Sequence, residues 1–443
     1  MIKKRGLKMI KIFGLIIAIG ILAVLAYKGV GALPLTLLAA FVVIVTNQMN
    51  LWESYSEFYM NGFIGFLKSY FLIFATSSLY AKIMEDSGSA VAIGYKLIDW
   101  FGKDKAMLIV LLATSILTYG GISLFVVVFA VSPIIMLLFK ESDIPRRLAM
   151  GPLLAGSATY TMTVLPGSSQ LTNVVPTHYL GTTLTAAPVF SIIIAIIMFA
   201  MVYAYLKWEE KRLKGLGEHF SYIEGADPKM YEIDRSQLPS ATKSFIPLLI
   251  VIGMIIGLRN VMSSSASVVL AMSIATIVAL ILNWDRIENK KETINTGLSQ
   301  SMGAIIGPCA IVAFGGVIQN SPAFQDVIAW INGFNMNPYV TGVTTTAIIA
   351  GITGSSSAGL RITMETFADK FLQSGANMEY LHRVTSIAAG SLDTLPHSPG
   401  LFLMFSWLGL THKEGYRFVF VTTVIIPLIL TIASLAVITA LGI

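Results

Sequence analysis

The chain has 443 residues, of which 55% are hydrophobic and only 12% are charged, and its formal net charge is +6. A soluble domain carries about 25% charged residues, so this composition excludes a typical water-soluble protein and indicates an integral membrane protein. The positive charge lies at the ends of apolar segments, not on one binding face, which argues against a nucleic-acid-binding protein.

The first predicted element is an apolar run at residues 11–27, which follows a basic start. The run exceeds the apolar core of a typical signal peptide, and more apolar runs follow. We therefore expect a retained helix and assign residues 1–30 to an extra N-terminal helix. Similar runs at 187–205 and 418–443 are near or above the roughly 20 residues that span a bilayer. Because helices satisfy their own backbone hydrogen bonds in lipid, the sequence predicts an all-α polytopic membrane protein.

Three polar stretches are expected to lie outside the lipid core. Residues 50–62 and 91–105 mix aromatic and charged residues, as helices at the membrane interface do. The stretch 361–383 carries too many charges to cross lipid and is predicted to form a surface connection.

The one long hydrophilic segment, residues 208–243, divides the chain near its middle. Basic residues are dense both in this linker and before the first apolar run, so the positive-inside rule predicts that the N-terminus and the linker are both cytoplasmic. The remaining residues form a first membrane repeat at 31–207 and a second at 244–443. The expected location is the inner cell membrane, with multiple passes.

The two halves share a pattern of interruptions. TYGGISLF (118–125) precedes TVLPGSSQ (163–170) in the first half, and ITGSSSAG (352–359) precedes DTLPHSPG (393–400) in the second. Unwound backbone at membrane depth occurs where it lines a cavity or is buried in protein, and paired interruptions indicate a transporter binding site. The sequence thus predicts two repeats with re-entrant hairpins and broken helices. The repeats have inverted topology if each half crosses the membrane five times after the extra first helix.

The candidate substrate-binding residues are the small and polar ones at these interruptions. The open alternatives are a plain external loop for the first interruption and small-residue helix packing for the serines of the second. The candidates are Gly167, Ser168, Ser169, Gln170 and Asn173 in the first half, and Gly354, Ser355, Ser356, Ser357, Thr394 and Ser398 in the second.

Asp393 and His397 are the candidates for binding a coupling ion. An ionisable group inside a membrane protein is costly unless it is paired or hydrated, so it is by default a functional candidate. Burial favours the neutral form of a carboxyl group, and an imidazole titrates near neutral pH, so either residue could carry a proton. The open alternative is an aspartate that accepts local backbone amides and a histidine at the surface.

Three other side chains, Arg361, Arg383 and His178, could meet a substrate carboxylate. The two arginines are equally well read as anchors at the membrane edge. The sequence has no HExxH or GxSxG motif, and its five histidines and single cysteine have no metal-ligand spacing. We therefore expect no enzymatic activity, no metal and no cofactor, and we interpret Cys309 as a small packed hydrophobic residue.

Two longer segments carry a family resemblance. TMTVLPGSSQLTNVVPTHYLGTTLTAAP (161–188) and LHRVTSIAAGSLDTLPHSPG (381–400) are similar to the gluconate permease (GntP) family of the ion transporter superfamily, and most similar to its D-β-hydroxybutyrate permease branch. The segment 81–106 also resembles the family. The resemblance implies hairpin tips at 120–123 and 354–357, and unwound helices at 165–173 and 395–400.

The resemblance also implies secondary transport of a small organic monoanion, with a scaffold domain and a transport domain that moves like an elevator. Proton symport would be the usual coupling, and a homodimer is expected from the resemblance alone. PGSSQ departs from the His- and Pro-rich first interruption of gluconate transporters, so a short hydroxycarboxylate such as 3-hydroxybutyrate is favoured over gluconate-like acids. The alternatives are a sodium-coupled carboxylate symporter, or a cation exchanger or channel. The expected partners are the organic anion and the lipid bilayer.

Overall fold

The structure is a computed structural model that describes residues 2–120, 122, 124–168, 170–222, 235–258, 261–333 and 336–441. In these ranges all regular secondary structure is helical, without β-strands, and eight helices are long and apolar enough to cross a membrane. The predicted all-α polytopic membrane fold is confirmed.

The helices follow the same order in the two halves of the chain. In the first half they are α1 (Ile2–Tyr27), α2 (Ala32–Thr46), α3 (Leu51–Glu53), α4 (Met60–Asp86), α5 (Ser89–Phe101), α6 (Ala106–Tyr119), α7 (Leu124–Glu141), α8 (Met150–Ala158), α9 (Leu171–Leu180) and α10 (Pro188–Gly215). In the second they are α11 (Ala241–Leu258), α12 (Ser264–Leu282), α13 (Lys290–Gln319), α14 (Pro322–Asn332), α15 (Pro338–Thr353), α16 (Ser356–Leu372), α17 (Met378–Ala389), α18 (Pro399–Trp407), α19 (His412–Val419) and α20 (Ile426–Leu441).

The packing of α1 resembles that of α11. Helix α1 contacts α2 and α14, while α11 contacts the corresponding helices α12 and α5. In the same way α2 packs against α13, and α12 packs against α4. These contacts give α1 a counterpart, α11, in the second half, whereas the sequence predicted α1 as an extra helix outside the first repeat.

The centre of the bundle is an antiparallel pair formed by α4 and α13. Near one end a Cβ added at Gly62 would lie 2.8 Å from the Val312 carbonyl, so the two backbones approach closely there. Near the other end the Thr293 hydroxyl donates to the Asp86 carboxylate at 2.6 Å. We call the end at Asp86 the linker face, because Leu238 and Pro239 of the linker pack near Gly88 there. The end where α13 stops is the opposite face.

The N-terminal helix begins at the opposite face. Gly14 of α1 lies beside Thr46, the last residue of α2, and the next residue, Asn47, accepts a hydrogen bond from the Ala323 amide at the start of α14. By contrast, Lys214 at the end of α10 bonds to the Ser142 carbonyl on the linker face. Helix α1 thus begins at one end of the bundle and α10 ends at the other, whereas the sequence predicted the N-terminus and the linker on the same, cytoplasmic, side.

Two polar stretches differ from their predicted structures. Residues 50–62 are not a separate interfacial helix, because α3, a π-helical turn at Ser54–Tyr59 and α4 form one long span. Residues 361–383 are not a surface connection, since α16 continues to Leu372 and α17 begins at Met378. Each of these helices buries an apolar face against its neighbours. This packing keeps the segment helical although its other face carries charged residues.

Both hairpins and both broken helices are present. Helices α6 and α7 form the first hairpin, and α15 and α16 form the second, with a turn at Gly354 (φ 62°). The chain is non-helical at 165–168 and at 170, between the π-helical turn Tyr160–Val164 and α9, and at 390–398 between α17 and α18. These breaks are the interruptions that the sequence predicted.

Candidate functional site

A cavity of about 520 Å³ lies where the hairpins and the broken helices meet. Its walls include the first turns of α7, α9, α16 and α18, together with parts of α4, α8 and α13. The cavity extends from the two breaks towards the opposite face, because Gln319, the last residue of α13, also lines it. Its size is typical of a small-molecule site.

Four helices begin at this cavity. The first backbone amides of a helix have no partner within the helix and carry a partial positive charge. Four such ends around one space form an environment that favours an anion. The residues of these first turns that line the cavity are Leu124 and Phe125 of α7, Leu171 and Thr172 of α9, Ser356 and Ser357 of α16, and Pro399, Gly400 and Leu401 of α18.

Two of the described lining residues are charged, Asp393 and Arg361. The Asp393 side chain is only 6% exposed, and its Oδ1 atom has no hydrogen-bond partner. The Ser356 hydroxyl at the start of α16 is near this carboxyl group, and both residues line the cavity. Burial of an ionised carboxylate without a partner is costly.

The second break packs against the tip of the second hairpin. The Ser398 hydroxyl donates to the Gly354 carbonyl at 3.2 Å. A Cβ at position 354 would lie 3.1 Å from the His397 ring, so glycine is needed there for space as well as for its positive φ. His397 is buried, and neither of its ring nitrogens has a hydrogen-bond partner. It lies behind the tip and not among the lining residues, unlike Asp393.

Side chains of α19 and its π-helical extension (Phe420–Ile425) hold the backbone of the second break. The Tyr416 hydroxyl donates to the Thr394 carbonyl at 3.1 Å, and His412 Nε2 lies 3.0 Å from the Pro396 carbonyl. The Thr394 and Thr423 hydroxyls are 2.6 Å apart. These contacts satisfy polar groups that an intact helix would pair internally.

The tip of the first hairpin is tied to the first break by two side chains. The Gln170 amide donates to the carbonyls of Thr118 and Ile122 at 2.8 and 3.1 Å. The Tyr119 hydroxyl donates to the Pro166 carbonyl at 3.0 Å. Gln170 lines the cavity, and these bonds leave its carbonyl oxygen available to a ligand.

Asn173 lies outside the cavity lining and stabilises the first break from behind. Its amide donates to the carbonyls of Ser168 and Leu184 at 2.7 and 2.8 Å, and its oxygen lies 3.1 Å from His382 Nε2. Ser168, Asn173 and His382 are all buried. His382 also contacts the Thr182 hydroxyl at 2.7 Å through its other ring nitrogen. The network joins α9 in the first half to α17 in the second.

The structure therefore brings most of the predicted site residues together. Gly167 and Ser168 lie at the first break but do not line the cavity, and Ser169 is outside the described residues. Those that line it are Gln170, Gly354, Ser355, Ser356, Ser357, Asp393, Thr394 and Ser398.

Several residues of the site were not predicted as site residues. Ser69 and Tyr70 of α4 and Gln319 of α13 line the cavity, and Arg361, which the sequence left open between a carboxylate contact and a membrane-edge anchor, lines it as well. Polar residues within or at the end of long apolar helices were the only sequence signal for the first three. His382 gave no signal of its own, because its partner Asn173 is distant in sequence. Within the part of the chain that the structure describes, no group of three or more His, Cys, Asp or Glu side chains could hold a metal ion.

A sequence model of GntP family permeases matches residues 10–441, almost the whole chain. The chain belongs to the GntP permease family. This permease is 32% identical over 450 residues to YxjC of Bacillus subtilis (strain 168), described as an uncharacterized transporter, with 93% of this chain and 95% of that one covered. It is 24% identical to an uncharacterized transporter of Haemophilus influenzae, over 72% and 73% of the two chains.

Among solved structures, this GntP family permease is similar to the YdaH transporter of Alcanivorax borkumensis, described as having an unusual topology. The identity is 17%, with 98% of each chain covered and a TM-score of 0.40. The family and the relatives are transporters, not enzymes, so this permease is a multi-pass membrane transporter. Neither relative is named for a substrate, and the hydroxybutyrate branch stays a prediction.

Proposed function

We propose that this permease is a secondary active transporter that moves a small organic monoanion across the cell membrane together with a proton. One observation carries the proposal: four helix N-termini converge on a cavity that contains one described carboxyl group, that of Asp393. The helix ends supply backbone amides and positive potential for an anion. The carboxyl group supplies a site for the coupled ion.

The position of Asp393 couples the two ligands. An ionised Asp393 would repel an anion at the start of α16 and would compete for the Ser356 hydroxyl. A protonated Asp393 has no charge and can donate a hydrogen bond. Proton binding and anion binding therefore favour each other, and this coupling free energy acts equally in both directions.

The lining groups match a hydroxycarboxylate better than a purely apolar acid. Serine and threonine hydroxyls and the free Gln170 oxygen can bond to a substrate hydroxyl, while helix N-termini bind its carboxylate. The volume accommodates both 3-hydroxybutyrate and gluconate-like acids. We propose the shorter acid because the first break lacks the histidines of the gluconate-transporting members.

The test is uptake of labelled 3-hydroxybutyrate into proteoliposomes under an imposed pH or sodium gradient. We expect saturable uptake that an inwardly directed proton gradient drives and that a sodium gradient does not. Uptake driven by sodium alone would establish sodium coupling in place of proton coupling. Electrical current that is independent of organic anion would instead identify a channel, and cation exchange without organic anion would identify an exchanger.

A further inference from the structure

Arg361 occupies a distinctive place on the second hairpin. It lies on α16, about one and a half turns after the tip, and lines the cavity between the four helix N-termini and the opposite face. Among the lining residues that the structure describes, it is the one that carries a positive charge. Its side chain is 63% exposed, so it meets water and any solute that enters from the opposite face.

The present partner of Arg361 is weakly held. Arg361 Nε lies 3.6 Å from Glu365 Oε1 one turn later on the same helix, and the Glu365 side chain is 50% exposed. The Tyr179 hydroxyl of α9 reaches the same Glu365 oxygen at 3.4 Å. Exposed pairs of this length contribute little to stability. A guanidinium has five N–H donors, and the Glu365 contact uses one of them at long range.

The charges of the cavity lining determine which substrate charge it favours. With Asp393 protonated, the charged side chain left among the described lining residues is Arg361, so the lining has one net positive charge. One guanidinium binds one carboxylate in a bidentate manner. A monoanion neutralises this charge, a dianion leaves a negative charge in excess, and an uncharged molecule offers no carboxylate to replace Glu365.

We propose that Arg361 is the charge-selecting residue of this cavity, which exchanges Glu365 for the carboxylate of an entering monocarboxylate. The proposal rests on the function proposed above and deepens it. Glu365 holds the guanidinium near the cavity while the site is empty and releases it at little cost. The substrate carboxylate then lies between Arg361 and the start of α16, with its hydroxylated end towards the two breaks.

Three variants separate this role from a surface ion pair. Arg361→Gln removes the charge, Arg361→Lys keeps it without the bidentate geometry, and Glu365→Gln breaks the same ion pair while keeping the guanidinium. Lys413→Gln, an exposed basic residue of α19 outside the cavity lining, is the matched control. For each variant, uptake of labelled 3-hydroxybutyrate gives KM and kcat at low and at high ionic strength, and thermal unfolding in detergent checks the folding.

We expect Arg361→Gln to raise KM by about tenfold or more with kcat little changed, since it removes a charge-assisted hydrogen bond. Arg361→Lys should recover part of that loss, and Glu365→Gln should leave KM unchanged or lower it. Salt should raise the wild-type KM more than that of Arg361→Gln. Uncharged 3-hydroxybutyramide and the unlabelled acid can each be tested as inhibitors of labelled 3-hydroxybutyrate uptake. Relative to the acid, the amide should inhibit Arg361→Gln more strongly than it inhibits the wild type.

Two results would overturn the assignment while leaving the proposed function intact. The first is that the wild type takes up the acid but Arg361→Gln has the same KM as the wild type. The second is that KM rises equally in Arg361→Gln and Glu365→Gln, as expected of a surface ion pair. A wild-type protein that takes up no monocarboxylate would overturn the proposed function and this inference together.

Discussion

Replacement of Asp393 by asparagine tests the coupling directly. The amide has nearly the same shape as the carboxyl group, keeps an oxygen near the Ser356 hydroxyl and cannot exchange a proton at neutral pH. Since Asp393 is 6% exposed with an unpartnered Oδ1, the variant loses a costly ionisable group and should unfold at a temperature no lower than the wild type. We expect it to bind the anion but not to accumulate it.

The magnitude follows from the number of carboxyl groups in the cavity. Asp393 is the one described lining carboxylate, so the proposed mechanism moves one proton with each substrate. A pH difference of one unit is then worth about 1.4 kcal/mol, a factor of about ten in the accumulation ratio. A pH difference of two units should give about hundredfold accumulation in the wild type and an inside-to-outside ratio of about one in Asp393→Asn. A monoanion that moves with one proton carries no net charge, so the membrane potential should add nothing.

The assay compares net uptake with exchange in the same proteoliposomes. Asp393→Asn should retain exchange of labelled for unlabelled 3-hydroxybutyrate, because exchange needs binding and conformational change but no net proton movement. The control is Asp369→Asn, which alters an exposed acid of α16 that does not line the cavity. Accumulation by Asp393→Asn at the wild-type ratio would refute the reasoning, as would wild-type accumulation that follows the membrane potential.

Three stability changes can be checked by thermal or denaturant unfolding in detergent. A Cβ at Gly359 would lie 2.6 Å from the Ala350 backbone nitrogen, so Gly359→Ala should destabilise the second hairpin by ~1–3 kcal/mol, whereas Gly253→Ala, with no atom within 4 Å, should not. Equal stability of the two variants would contradict this packing. Asn173→Ala should cost ~1–3 kcal/mol for each buried polar group it leaves unpaired, and a neutral effect would mean that water replaces the amide. Glu209 is fully buried and forms ion pairs with Arg212 at 2.7 Å and Arg417 at 2.9 Å. Glu209→Gln should lower the free energy of unfolding by ~1–3 kcal/mol, because it removes the charge from these hydrogen bonds. An unchanged stability would mean that water solvates the two arginines equally well.

The main features of the fold were predictable because they depend on local chemistry. Apolar runs of membrane length give helices, and the helices are interrupted at Pro166, Pro396 and Gly354. Proline alone is not a sufficient signal, because Pro133, Pro247 and Pro308 lie inside helices. The 50–62 and 361–383 stretches were misassigned for the opposite reason. Their charges suggest an aqueous position, but each helix continues because one face packs against partners that are distant in sequence.

Some residues of the site could be predicted from the sequence and others could not. Asp393 and the serines of the second tip could be predicted, since a polar residue beside a helix break is visible in a short segment. The roles of Asn173 and His382 could not, because their contact joins α9 and α17 and exists only once the two halves pack. Arg361 was ambiguous from sequence because the same side chain at a membrane edge or in a cavity has the same neighbours along the chain.

The chain's only cysteine, Cys309, is fully buried in α13. A water-soluble maleimide that cannot cross the bilayer therefore has no natural thiol to label in the folded protein. Any single cysteine introduced at an exposed position would become the sole reactive thiol and would report which compartment it faces. Met9 in α1 and Lys211 in α10 are exposed positions towards opposite ends of the bundle. The native sequence is thus a ready background for determining which face of this transporter is cytoplasmic.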